Sequence, residues 1–203
     1  MRERFERVEV EEVRADWPER WREFHRPVRA GGLWIGPPWE SAPPDLGAVV
    51  IDPGQAFGTG AHPTTRLCLE LLATLPRGPL LDAGCGSGVL AIAAVRLGFE
   101  PVFAIDDDPV AVEAAAANAG RNRIELELSR GDALAADLPD ALVTVANISL
   151  AAVTALARRS PGPLLVTSGY LDRDDPKPVG YRRRERRCAA GWAADTFERI
   201  APK

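Results

Sequence analysis

The chain contains no apolar run of the roughly 18 to 20 residues that a membrane span requires. Its first residues, Met1-Arg2-Glu3-Arg4-Phe5-Glu6-Arg7, are charged with no apolar core behind them, so no secretory signal is read and the cytosol is the expected compartment. Cysteine is scarce. Cys68, Cys85 and Cys188 are odd in number and lack metal-like spacing, which favours free buried thiols over a redox or metal role. Only two histidines occur, leaving little material for a dedicated general base. The formal net charge of −4 gives no global field for nucleic acid. One dense basic stretch remains, Arg182, Arg183, Arg184, Arg186 and Arg187. A solvated edge strand guarded by charge explains it, and so does an acidic or RNA-containing partner. No internal repeat is visible.

What is present is globular: 46% apolar and 27% charged residues in 203, enough for one well-buried domain. Proline and glycine concentrate at 27–63, 161–163 and 176–180. Between them short apolar runs alternate with alanine-rich helical segments. Strands are expected at Leu80 to Ala83, Val102 to Ile105, about 124 to 129, Leu142 to Val145 and Leu164 to Thr167. Helices are expected at Val89 to Leu97, ended by Gly98, at Pro109 to about Asn118, capped by Asp108, and at about Leu150 to Arg159. Such alternation argues for a parallel sheet covered on both faces. Tyr181 to Ala189 and Trp192 to Ile200 read as an antiparallel hairpin joined tightly around Gly191.

The strongest local signal is Asp82-Ala83-Gly84-Cys85-Gly86-Ser87-Gly88, after a strand and opening a helix. Glycines there let the backbone approach a ligand, and the free N–H groups of the helix start favour a polar or anionic one. A dinucleotide fingerprint is G-x-G-x-x-G; this loop is G-x-G-x-G with an acid two positions earlier, which suits the methionine end of S-adenosylmethionine better than a pyrophosphate. A turn that merely needs small residues explains it too. Asp106 ends the next strand, where a carboxylate can accept from two ribose hydroxyls; Asp107 and Asp108 read as strand end and helix cap. Asp132, in Gly131-Asp132-Ala133, either accepts from the adenine amino group or makes an ordinary turn. Asn147, in Val145-Ala146-Asn147-Ile148, ends the fourth strand of the series. Its side-chain carbonyl can accept from a substrate amine and aim the nitrogen lone pair, or its side chain can cap the next helix.

A last segment, Asp52-Pro53-Gly54-Gln55-Ala56-Phe57-Gly58-Thr59-Gly60-Ala61-His62-Pro63-Thr64-Thr65, precedes a helix expected from Arg66 to Leu72 and capped by Thr64 or Thr65. As physics, it is a glycine loop able to fold over a ligand and exclude water.

This segment, with Leu81 to Gly88, Ala104 to Pro109 and Ala146-Asn147-Ile148, resembles the PrmA family, the bacterial methyltransferases of ribosomal protein L-eleven. The stretch Trp21 to Trp39, with Gly32-Leu33-Trp34-Ile35-Gly36-Pro37-Pro38-Trp39, is similar to that family's linker, and the resemblance covers about 17 to 170. It implies a Rossmann-like α/β class I methyltransferase fold: a mostly parallel seven-stranded sheet, helices on both faces and a C-terminal antiparallel hairpin. Residues 1–40 would form an N-terminal helix and linker, and 41–203 the S-adenosylmethionine-dependent domain. The implied activity is methyl transfer to lysine side-chain and N-terminal amines of a protein. Two departures are read: no counterpart of the family's N-terminal recognition domain is expected from the short stretch before the linker, and Asp172 to Gly180 is short and proline-bearing where the family usually has a helix. By motif, Thr65, Gly84, Asp106 and Asn147 fall on cofactor-binding positions.

The candidate cofactor-binding set is thus Phe57, Thr59, Thr65, Asp82, Gly84, Gly86, Gly88, Asp106, Asp132 and Asn147, with Asn147 also catalytic. Trp34, Trp39 and Phe57 stand as candidates for a substrate-entrance wall or for plain core, and His62 either contacts substrate or makes a structural hydrogen bond. A free lysine amine has a pKa near 10.4, so only about one in 2,500 is neutral at pH 7. Desolvation lowers that pKa, and positioning then supplies most of the acceleration. The expected partner is a protein or small-molecule amine, with a ribosomal protein among the former and no membrane. A nicotinamide-dependent oxidoreductase and a non-catalytic S-adenosylmethionine-binding protein are the competing readings.

Overall fold

The structure is a computed structural model that describes residues 25–54 and 58–200. The N-terminal helix expected within residues 1–40 lies largely outside the described residues, as does Phe57. The first five strands are β1 (Val28–Ala30), β2 (Leu33–Gly36), β3 (Gly47–Val50), β4 (Leu80–Ala83) and β5 (Val102–Asp106). They are followed by β6 (Glu127–Arg130), β7 (Val143–Asn147), β8 (Leu164–Leu171), β9 (Tyr181–Ala189) and β10 (Trp192–Arg199). The helices are α1 (Pro63–Leu72), α2 (Val89–Arg96), α3 (Pro109–Asn122) and α4 (Leu150–Leu156).

Seven strands form one sheet in the order β6-β5-β4-β7-β8-β10-β9. The first five are parallel, and β10 runs antiparallel to both β8 and β9. The inner strands are buried at nearly every residue and mostly apolar, as expected where both faces of a parallel sheet are covered. Helices α1, α2 and α3 cover one face. The other carries α4 and the turn segment around Leu134 and Leu138. Helix α2 is apolar and buried from Val89 to Ala94, because it packs on β4 and β5 and also on β3.

That last contact belongs to a second, three-stranded sheet, β1-β2-β3, which the proline and glycine content of the region had concealed. Strand β2 pairs antiparallel with β1 and parallel with β3, so this sheet uses residues on both sides of residue 40. Helix α3 starts where expected, with Asp108 Oδ1 accepting the Val110 N–H at 2.9 Å, but continues past Asn118 to Asn122. Both asparagines are buried and turn inward. Asn122 holds both backbone groups of Val50, at 2.8 and 2.7 Å. Asn118 accepts the Asp52 N–H and donates to the Ser87 carbonyl, each at 3.0 Å. The segment leading into the glycine loop is thereby fastened to the main domain.

The hairpin forms as expected, and its arginines are largely spoken for within the fold. Asp195 on β10 is wholly buried and meets Arg186 through two bonds of 2.9 Å, with Arg183 Nε at 2.8 Å and the Tyr170 hydroxyl donating at 2.8 Å. Arg187 pairs with Glu185 at 2.7 Å and reaches Glu70, while Arg182 and Arg184 lie beside Glu198. The stretch is an ion-paired strand of the sheet. The expected strand at 124–129 shifts to Glu127–Arg130, and Leu164 to Thr167 extends to Leu171. Residues 172–180 form turns without a helix. Among the described residues no helix is long and apolar enough to cross a membrane.

Candidate functional site

The candidate site lies at the C-terminal ends of β4, β5 and β7, the crevice where open α/β sheets bind ligands. The glycine loop after β4 is tied to its neighbour, with the Gly84 and Cys85 N–H groups donating to the Ile105 carbonyl at 2.8 and 3.1 Å. Gly84 has φ +77°, and a Cβ there would stand 2.6 Å from Ile148 Cγ2. Only glycine fits both the turn and that close approach. Gly86 and Gly88 also have positive φ, and Gly88 opens α2.

Two carboxylates flank the loop in different states. Asp106, half-buried at the end of β5, accepts the Gly86 N–H at 2.8 Å through Oδ2 and the Asp108 N–H at 3.0 Å through Oδ1. It is thereby fixed against the loop with lone pairs left for a ligand hydroxyl. Asp82, 1% exposed, accepts the Ala91 N–H at 3.0 Å through Oδ2, while its buried Oδ1 has no hydrogen-bond partner among the described residues. Burial pushes the Asp82 carboxyl up to about 7; the bond from Ala91 opposes this and the Asp106 charge adds to it. A buried oxygen of this kind is costly to leave unpaired, and a ligand ammonium or ordered water would satisfy it. Asp132 is exposed at the start of a turn, its Oδ1 accepting the Leu134 N–H at 2.8 Å. The Gly131 N–H donates to the Asp106 carbonyl at 2.9 Å, so Asp132 follows directly beyond the Asp106 strand end.

Asn147 is half-buried at the end of β7. It does not cap the following helix; Ser149 is the residue at the N-cap of α4, accepting the Ala152 N–H at 3.4 Å. Its Nδ2 donates to Thr64 Oγ1 at 3.1 Å and reaches Thr65 Oγ1 at 3.4 Å. Those hydroxyls therefore are not the caps of α1. The helix begins earlier than expected, with Pro63 in its first turn, and His62 caps it, Nδ1 accepting the Thr64 N–H at 3.3 Å. The same Nδ1 lies 2.7 Å from Thr64 Oγ1, and the Trp192 ring meets the imidazole edge-on at 4.8 Å.

Asp82, Gly84, Gly86, Asp106, Thr65 and Asn147 thus come together. Trp34 does not join them: it is 4% exposed in the small sheet, its ring packed over Gly36. Trp39 is half-buried in the turn after β2, and Thr59 faces a narrow cleft with Ile51 and Pro53. The residues that sequence reasoning missed are Ser87, Asn118 and Trp192. Ser87 donates to the Gly58 carbonyl, joining the two glycine loops. The signal for Asn118 was present, since two buried-face asparagines four apart in an alanine-rich helix have no helical reason to be there. Among the described residues no His, Cys, Asp and Glu cluster fits a metal ion.

The sheet order, the hairpin and the glycine loop between two acidic strand ends define the α/β methyltransferase fold. A solved ribosomal protein L11 methylase from Lactobacillus delbrueckii subsp. bulgaricus superposes with a TM-score of 0.76 at 28% identity, covering 87% of this chain and all of that one. The family model described as "Ribosomal protein L11 methyltransferase (PrmA)" matches residues 2–176, and the chain belongs to that family. It is 48% identical over 174 residues to the Ribosomal protein L11 methyltransferase of Pseudomonas aeruginosa (strain LESB58), covering 80% of this chain and 59% of the relative. The corresponding Vibrio parahaemolyticus protein is 42% identical over 185 residues, covering 84% and 61%. The chain therefore spans about three fifths of the length of the curated relatives it matches.

Proposed function

We propose that this chain transfers a methyl group from S-adenosylmethionine to an amino group of a protein, with ribosomal protein L11 the first substrate to test. The observation that carries the reading is Asn147: its NH2 group is committed to Thr64 and Thr65, which leaves the amide oxygen for an incoming amine. The residues present fit the cofactor. Asp106 would hold the ribose hydroxyls, the unpartnered Oδ1 of Asp82 would face the amino-acid end of the cofactor, and the glycine loop would admit it without a Cβ in the way. When bound, the cofactor supplies an electrophilic methyl on a sulfonium centre. The protein's part is to bring the acceptor amine in neutral form and in line. Asn147 accepts one N–H of that amine and so aims its lone pair, and loss of water on binding would favour the neutral amine. Thr65 completes the proposed cofactor contacts, with Asp132 toward the adenine.

The test is transfer of labelled methyl from S-adenosylmethionine into purified ribosomal protein L11 and into a size-fractionated lysate, with Asn147→Ala as control. Label in a protein band, lost with the variant while cofactor affinity stays, supports the reading. Label confined to small molecules moves the acceptor to a metabolite amine. Full turnover by Asn147→Ala removes that residue from the chemistry.

A further inference from the structure

We infer that His62 is a positioning residue which, through Thr64, fixes which end of the Asn147 amide faces the crevice. This role follows from hydrogen-bond polarity and rests on Asn147 being the group that meets the acceptor amine. Nδ1 of His62 lies 3.3 Å from the Thr64 backbone nitrogen. A backbone N–H can only donate, so Nδ1 presents its lone pair and the neutral ring carries its proton on Nε2. The Thr64 hydroxyl sits 2.7 Å from the same Nδ1 and has a single proton, which must therefore point at the imidazole. With that proton spent, Thr64 Oγ1 offers only lone pairs to Asn147 at 3.1 Å. An amide oxygen facing it would be repelled; the NH2 end is attracted. The Oδ1 end is left pointing away from Thr64.

Capping α1 does not by itself call for histidine. Asp, Ser or Asn serves that role in most helices. What the positioning role requires is a neutral acceptor shared by an N–H and a hydroxyl, which Nδ1 supplies and which an aspartate would supply only with a negative charge beside the amide. Burial holds the His62 pKa below its ordinary value, which favours the neutral ring this arrangement requires. The Trp192 ring, at 4.8 Å and 72° to the imidazole, packs against it and limits its rotation. The chain of donors runs Asn147 to Thr64 to His62, and it spans β7 and the start of α1, elements far apart in sequence.

The full chain, labelled with 15N in its histidines, gives a direct test. Long-range proton–nitrogen correlation spectra distinguish the tautomers, and His62→Asn identifies which of the two histidine signals belongs to His62. The expected result at neutral pH is an unprotonated Nδ1 and a protonated Nε2; a protonated Nδ1 overturns the proposal. This readout does not depend on any methyl acceptor, so it remains decisive if no transfer is found. Kinetics supply the second arm. Cofactor-site occupancy, probed with S-adenosylhomocysteine by calorimetry, should change by less than about threefold in His62→Ala and His62→Asn. Methyl transfer should fall by about tenfold or more in His62→Ala and return to within about threefold in His62→Asn, which restores an acceptor at the cap. Equal losses in both variants would make the imidazole a substrate contact, and full activity in His62→Ala would remove it from the mechanism; either overturns the positioning role.

Discussion

At the residue scale, the two oxygens of Asp82 have unlike surroundings, and the difference is measurable. Its carboxyl is raised to about 7 by burial in the folded chain, against roughly 3.9 for an unfolded aspartate. The folded state therefore holds a proton that the unfolded state has released. Stability from this group is fully present below about pH 4 and is lost as pH rises through about 7. Urea midpoints should accordingly favour pH 5 over pH 8 by a margin that Asp82→Asn abolishes, since asparagine keeps an oxygen for Ala91 and does not titrate. An unaltered pH dependence in the variant would place the titration elsewhere. Asp106 invites a binding measurement. Asp106→Ala should weaken S-adenosylmethionine by at least about tenfold, or about 1.4 kcal/mol, in calorimetry. Unchanged affinity would remove it from the site. The placement of Asp82 and Asp106 beside the glycine loop was readable beforehand, because strand ends and glycine spacing announce it. The hydroxyls of Thr64 and Thr65 were misread as caps, since a local pattern cannot reveal an asparagine more than 80 residues away.

At the element scale, β8 contains an unusual residue for a central strand. Gly169 has φ +98°, and a Cβ there would stand 2.0 Å from the Ile148 carbonyl oxygen. The strand thereby yields room for the chain leaving β7, the same turn that presents Asn147. Gly169→Ala should destabilise the protein by about 2 kcal/mol or more in urea denaturation, combining a strained φ with a backbone clash. A neutral variant would mean that the turn after Asn147 moves freely. Elements were legible where burial is nearly uniform: β4, β7 and α2 are mostly apolar, and the hairpin is marked by Gly191. The small sheet was not, because strands of three and four residues amid proline and glycine carry too few alternations to register. Strand β6, mostly exposed, offered polar residues where an apolar run was sought.

At the scale of the whole molecule, the sheet is completed by a charged centre. Asp195 stands wholly buried between β8 and β9, answered by Arg183, Arg186 and the Tyr170 hydroxyl. Asp195→Ala removes the buried acceptor shared by Arg183, Arg186 and Tyr170, leaving Arg183 to Asp175 and Arg186 to the Asp172 and Asp174 carbonyls, and should cost about 2 kcal/mol, seen as a lowered melting temperature. A variant as stable as the parent would show that the remaining partners of those arginines suffice. The pairing also explains why composition alone could not assign the basic stretch: its partners Asp195 and Glu70 come from other elements. The strand order carries a consequence for biosynthesis. Strand β10 lies between β8 and β9, so β9 leaves the ribosome before its own inner neighbour exists. Until β10 follows, β9 waits unpaired in the nascent chain, and it waits carrying five arginines. Like charges on a waiting strand disfavour pairing with the same strand of a neighbouring nascent chain, so the arginines that the finished hairpin ion-pairs guard the strand before that hairpin exists.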